Sequence, residues 1–252
     1  SSMIAKSATD GRKLPAKKSA ARDLLLHEKA RVLVTGAAGF IGYHVCKKLL
    51  ARGARVIGID NLNTYYSVAL KESRVADLKP LAGFTFLKQD FADLDGLRKA
   101  VGRAEIDRIV HLGAQPGVRY SIEAPMAYAA ANLTGHLAIL ELARGITDLK
   151  HLVYASSSSV YGGNTKLPFS ETDAVDHPVS LYAATKRADE LMSDTYAHLY
   201  GIAQTGLRFF TVYGPSGRPD MAVWLFTEAL FDGKPIRLFE NGTLRRDFTF
   251  VD

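Results

Sequence analysis

Apolar positions along this chain fall into two alternating kinds of run. Blocks of five or six mostly apolar or β-branched residues recur at 31–35, 55–59, 84–88, 108–112, 151–155 and 205–210. Their length and continuity predict strands buried on both faces. Between them, the stretches 43–52, 67–79, 93–102, 127–143 and 181–200 carry apolar residues at helical spacing, which predicts helices with one face against a core. Gly201, suited to a left-handed conformation, is expected to stop the last helix. Strands alternating with helices at this rhythm imply a parallel sheet covered on both sides, with ligands at the carboxyl ends of the strands. The small and polar residues that break the apolar runs fall at those ends: Gly36, Asp60, Gln89-Asp90, Gly113-Ala114-Gln115 and the four serines 156–159.

The first block runs directly into glycines, RVLVTGAAGFIG over Arg31 to Gly42. One glycine lets the chain reverse, a second lets a diphosphate approach the backbone, and a third lets helix and strand pack closely, with helix N–H groups facing the anion. Gly36, Gly39 and Gly42 are spaced GxxGxxG, one residue looser than the standard dinucleotide fingerprint GxGxxG. The second block ends in Asp60, about where an acidic residue would grip a ribose hydroxyl pair, favouring NAD over NADP. A glycine turn without a ligand is the plainer alternative. Gln89, Asp90 and Phe91 end the third block, where a polar side chain would meet an adenine edge, and Asn132 has helical spacing that turns it inward.

Composition narrows the class. The chain has 252 residues and is 47% hydrophobic, enough for one large domain with a small appendage. Its single cysteine, Cys46, excludes a disulfide framework and a cysteine metal site and points to a reducing cytoplasm. No apolar run approaches the roughly 18 residues of a membrane span. The net charge of +6 is concentrated in residues 1–30, with seven Lys/Arg against three Asp/Glu, and the remainder is near balance. Residues 1–30 therefore read as a basic, partly disordered extension. A nucleic-acid partner would rest on that tail alone.

Tyr182 and Lys186, in YAATK, stand four residues apart and share a helix face. A neighbouring ammonium favours a phenolate, which suits a tyrosine to general-base work. Ser157, 25 residues earlier at the end of the fifth block, can share the hydrogen bond to a substrate hydroxyl. Taken alone, the Tyr–Lys pair would read as a solvated helix face.

TGAAGFIG, YASSSSVYG and YAATK together resemble the extended short-chain dehydrogenase/reductase family, from about Arg31 to Asp252. The resemblance implies a Rossmann-type α/β fold, a doubly wound parallel sheet, over 31–210. Residues 211–252 would begin a small C-terminal substrate-binding part that the chain leaves incomplete. It implies a catalytic triad of Ser157, Tyr182 and Lys186, no metal, and a tightly held NAD regenerated each turnover. NAD contacts would come from Phe40, Ile41, Asp60, Asn61, Asn63, Asp90, Phe91, Gln115 and Asn132, the backbone near Leu112, Gly113 and Ala114, and Phe209 beside the nicotinamide, with Lys186 on its ribose. A homodimer seam of two long helices, 127–143 and 181–200, is also implied.

Once a nucleotide sugar has been oxidised at C4, family members take it to different products. Sugar 4,6-dehydratases carry an acidic pair where this chain has Ser158 and Ser159, and UDP-glucuronate decarboxylases carry glutamate at Ser159. Simple 4-epimerisation needs neither. Thr211 and Arg218, in RFFTVYGPSGRPDM, and the run GVRYS with Val118 and Arg119, resemble the UDP-glucuronate 4-epimerases. A guanidinium is a natural fork for a carboxylate, with Ser158, Ser159 and Thr211 completing the clasp; the bland alternative makes Arg218 a surface charge. Arg246 would meet the diphosphate, and Arg237 and Phe239 would flank uracil. Competing readings are an epimerase of neutral UDP-hexoses (UDP-glucose or UDP-N-acetylglucosamine), a UDP-glucuronate decarboxylase, and a non-catalytic NAD-sensing module.

Overall fold

A computed structural model describes residues 30–236, 242 and 245–252. The extension expected over 1–30 lies outside the described residues apart from Ala30. The chain alternates β1 (Arg31–Thr35), α1 (Phe40–Ala51), β2 (Arg55–Asp60), α2 (Val68–Leu78), β3 (Phe84–Lys88), α3 (Leu94–Val101) and β4 (Arg108–His111). Two short helices come next, α4 (Tyr120–Glu123) and α5 (Pro125–Tyr128), then α6 (Gly135–Arg144), β5 (His151–Ser157), α7 (Leu181–Tyr200) and β6 (Gln204–Phe209). The last elements are β7 (Thr211–Tyr213), α8 (Ala222–Phe231) and β8 (Phe248–Phe250).

Six strands form one parallel sheet in the order β3-β2-β1-β4-β5-β6. Strand order reverses between β1 and β4, which opens a crevice at their carboxyl ends. Strand residues alternate between two apolar layers. Leu33, Ile59, Ile109 and Leu152 pack on one face with Leu97 and Ile139 of the helices. Val32, Val34 and Val56 pack on the other with Tyr43, Cys46 and Leu78. Beyond the main sheet, β7 and β8 pair in a separate two-stranded parallel sheet.

Several boundaries differ from the sequence pattern. The first helix begins at Phe40 rather than residue 43, with Gly39 as its cap, so Ile41 and Gly42 belong to its first turn. The glycines carry no periodicity signal, which hid that turn. The fourth strand stops at His111, leaving Leu112 outside it, and the fifth runs on to Ser157, so that serine closes the strand. The sixth covers 204–209 and leaves out Phe210.

The long helix expected over 127–143 is interrupted. Between α5 and α6, residues Ala129–Thr134 form a π-helical segment. One extra residue in that turn swings Asn132 inward, where its amide is bonded on every side. Its Oδ1 accepts from Gln115 N at 2.8 Å, and its Nδ2 donates to Gln115 O at 3.2 Å and to Thr185 Oγ1 at 3.0 Å. Such widened turns mark functional positions more often than chance. By contrast, α7 has the expected limits, with Ser180 Oγ accepting from Ala183 N and Gly201 in the left-handed region at φ 68°.

Candidate active site

The carboxyl ends of the strands surround a cavity of about 850 Å³. Its floor is the glycine turn. Gly36 sits at φ +70°, and a Cβ there would lie 2.8 Å from Gly113 N. A Cβ on Gly42 would lie 2.0 Å from the Gly36 carbonyl oxygen. The turn is therefore closed so tightly on itself and on the end of β4 that side chains are excluded, as a cradle for a diphosphate requires. Gly113 is pinned there because its N–H donates to Thr35 Oγ1 at 3.1 Å. Thr35 Oγ1 in turn lies 2.6 Å from Nδ1 of the buried His111. Burial holds His111 well below its ordinary pKa, so the ring is neutral and shares one proton with the threonine hydroxyl.

Asp60 closes β2 facing the same turn. Its Oδ2 accepts from Ala38 N at 3.1 Å and its Oδ1 from Leu62 N at 2.9 Å. Burial raises its pKa, against the pull of those N–H groups and of Lys71 and Arg74. Two fixed oxygens at this place suit a pair of ribose hydroxyls. On the next rim, Asn61 Nδ2 donates to Asp90 Oδ2 at 3.1 Å, so two residues expected to contact NAD also position each other.

At the opposite end, Lys186 is 3% exposed, which removes the solvated-face alternative. Its Nζ donates to Ala155 O at 2.9 Å and pairs with Asp189 Oδ2 at 3.2 Å. Burial raises the Asp189 carboxyl to about 6, with the lysine pulling it down. Ser157 Oγ accepts from Ser159 N at 3.1 Å, which ties up a lone pair and leaves its proton to be donated. Ser156 Oγ donates to Glu190 Oε1 at 2.6 Å, and Glu190 takes a two-pronged bond from Arg208 at 2.9 and 3.0 Å. That network locks the end of β5 to α7 and β6.

Arg218 lines the same cavity as Ser158, Ser159, Thr211 and Tyr182. Asp220 holds it through Nε at 3.0 Å and Nη2 at 2.6 Å, and Tyr65 Oη donates to Asp220 at 3.1 Å. Burial works against the Arg218 cation, but the bonds to Asp220 outweigh it and the pKa is raised. Asp220 is correspondingly held below its ordinary value despite burial.

Of the residues singled out from sequence, the three glycines, Phe40, Ile41, Asp60, Asn61, Asn63, Asp90, Phe91, 112–115, Val118, the serines 157–159, Tyr182, Lys186, Phe209, Thr211, Arg218 and Arg246 all line this cavity. Asn132 stands behind the wall and acts through Gln115. Arg119 is exposed at the start of α4 and does not line the cavity, although its neighbours Val118 and Tyr120 do. Arg237 and Phe239 lie outside the described residues. Sequence reasoning missed Lys71, Arg74, Asp189 and Asp220. The first two carry a faint signal, two cations three apart on one helix face, yet both are buried.

A doubly wound sheet, a glycine cradle ending in a ribose-directed acid, and a helix carrying Tyr182 with the buried Lys186 define a nucleotide-dependent oxidoreductase-type site. Residues 32–252 match the NAD dependent epimerase/dehydratase family, and the chain belongs to it. An uncharacterized 37.6 kDa protein of Escherichia coli O111:H- is 56% identical over 222 residues, 88% of this chain and 66% of that protein. A probable UDP-glucuronate 4-epimerase of Rhizobium meliloti is 51% identical over 222 residues, again 88% of this chain and 65% of the relative. The chain thus spans just under two thirds of the length of these relatives. The crystal structure of a Bacillus cereus UDP-glucuronic acid 4-epimerase, in complex with UDP-glucuronic acid and NAD, superposes with a TM-score of 0.81 at 36% identity, over 88% of this chain and 69% of that one.

Proposed function

We propose that this protein catalyses NAD-dependent 4-epimerisation of a UDP-sugar, UDP-glucuronate to UDP-galacturonate, through a 4-keto intermediate. The observation that carries the reading is that Arg218, Ser158, Ser159 and Thr211 line the same cavity as Tyr182 and Lys186. The glycine turn holds the diphosphate of NAD, and Asp60 holds its adenosine ribose. NAD held there would supply the acceptor for hydride from C4 of the sugar and the donor for its return to the opposite face.

Tyr182 Oη takes the proton of the 4-hydroxyl and gives it back after the sugar has turned over. Ser157 Oγ–H donates to the same oxygen. Lys186, anchored on Ala155 O, supplies positive charge beside the phenol and reaches the nicotinamide ribose. Arg218 presents its Nη1 edge to the substrate carboxylate because Asp220 occupies Nε and Nη2. Holding that carboxylate near the plane of the C4 carbonyl keeps the carboxyl bond out of line with the π system, which suppresses loss of CO₂. Serines at 158 and 159 leave no acid for elimination.

A neutral UDP-hexose is the second reading, supported by the carboxylate that Asp220 already supplies to Arg218. We also place a homodimer seam along α6 and α7, where Leu137, Leu191 and Leu199 are exposed, and assign the protein to the cytoplasm on its buried free thiol, Cys46. The test monitors sugar protons by NMR, without added NAD, with UDP-glucuronate and UDP-glucose supplied separately. Growth of the galacturonate signal with no pentose is expected. Formation of a pentose, or turnover of UDP-glucose alone, overturns the uronate assignment.

A further inference from the structure

Arg74, on α2, is the largest fully buried side chain among the described residues, 1% exposed. A guanidinium so placed is costly unless its N–H groups find acceptors. Four of them do. Nη1 donates to Ala38 O and to Tyr66 Oη, both at 2.8 Å. Nη2 donates to Ser216 O at 2.7 Å and to Gly217 O at 3.0 Å. All four acceptors are uncharged, three are backbone carbonyls, and Nε is buried without a partner. The acceptors belong to three different loops: the glycine turn, the aromatic loop after β2, and the loop that ends in Arg218.

The third loop needs holding. Ser216 sits at φ +56°, a conformation that a residue with a Cβ adopts at a cost and keeps only where surrounding contacts impose it. Arg74 grips its carbonyl, and His44 Nε2 lies 2.9 Å from the carbonyl oxygen of the preceding Pro215. Ala38, at the other end of the guanidinium, also donates its N–H to Asp60. A continuous path of bonds therefore runs from Asp60 through Ala38 and Arg74 to Ser216 and Gly217, one residue before Arg218.

We propose that Arg74 is a positioning residue that couples the two halves of the cavity. Through it, a dinucleotide seated on the glycine turn orders the Arg218 loop for the UDP-sugar, and a bound UDP-sugar in turn retains the dinucleotide. Each ligand then binds a protein whose ordering the other has already accomplished, and the coupling is reciprocal. The proposal rests on the function argued above.

The test compares the full chain with Arg74→Lys and Arg74→Met. Lysine keeps the charge but carries its donors on one atom, so it cannot span from Ala38 to Gly217. The rate of NAD loss is measured by dilution into a trap, with and without saturating UDP. In the wild type, UDP slows NAD loss by roughly 5- to 150-fold, the usual range for coupled sites. In Arg74→Lys that ratio falls to within about twofold of one, while NAD still binds in the absence of UDP. KM for the UDP-sugar rises more than kcat falls. A variant that loses NAD faster by the same factor with and without UDP shows a merely structural role and overturns the proposal. Should the variants fail to fold, amide exchange in the wild type decides: NAD alone slows exchange across residues 216–218, and unchanged exchange there refutes the coupling. A wild type that binds neither NAD nor UDP overturns the functional reading itself, whereas one that binds both without mutual effect overturns only the coupling.

Discussion

Alanine at position 42 is the sharpest test of the cradle. Its Cβ would stand 2.0 Å from the Gly36 carbonyl oxygen and 2.8 Å from the Gly36 carbonyl carbon. Both are backbone atoms, so no rotamer relieves the overlap, and ordinary contact at 3.4 Å demands that turn and helix separate by more than an ångström. Forcing a methyl into a closed site costs about 1–3 kcal/mol. The displaced turn also pulls the first-turn N–H groups out of line with an anion. NAD binding is expected to weaken from about fivefold to about 150-fold. The assay is NAD retained per chain after gel filtration, with titration back to saturation afterwards. Gly163→Ala is the control, because nothing lies within 4 Å of a Cβ there. If Gly42→Ala held NAD as tightly as Gly163→Ala, the close approach of turn and helix would not be what binds the diphosphate.

Three further outcomes are expected. Tyr182→Phe loses about 10²- to 10⁴-fold in kcat with NAD retained, because the proton acceptor is gone but the cradle is untouched; NAD content and turnover measured on one sample check both halves. Arg218→Met raises KM for UDP-glucuronate about ten- to 100-fold, the worth of a charge-assisted pair, and leaves UDP-glucose nearly unaffected; equal effects on both sugars would remove Arg218 from carboxylate recognition. His136 is buried, with Nε2 2.8 Å from Ser193 Oγ, and burial lowers its pKa from 6.5 to about 3. The unfolded chain takes up that proton first, so this contribution to stability is complete above pH 6.5 and is lost as pH falls toward 3. His136→Gln should flatten the acid limb by about 1.4 kcal/mol per pH unit, read by urea unfolding between pH 4 and 7, and an unchanged slope refutes the assignment.

Much of the site was legible in the chain because its chemistry is local. The glycine turn, Asp60 and the Tyr182–Lys186 pair each arise from a few residues joined to one strand or one helix, and strand ends collect them automatically. Buried cations were not legible. Lys71 and Arg74 look like an ordinary polar helix face in sequence, and their acceptors at Asn63, Ala38, Ser216 and Gly217 come from as far as 143 residues away. Asp220 was passed over beside Arg218 because adjacency in sequence does not reveal that the two side chains fork into each other.

By itself, then, the sequence determined the alternation of strand and helix, the parallel sheet, and which side chains gather at its carboxyl edge. Continuous apolar runs suit strands buried on both faces, and their alternation with helices makes the sheet parallel. Tertiary structure decided the π-turn that aims Asn132, the protonation of His111 and His136, and the tether from Ala38 to the Arg218 loop. Those depend on what surrounds a polar group once water has been removed, and neither spacing nor composition records that.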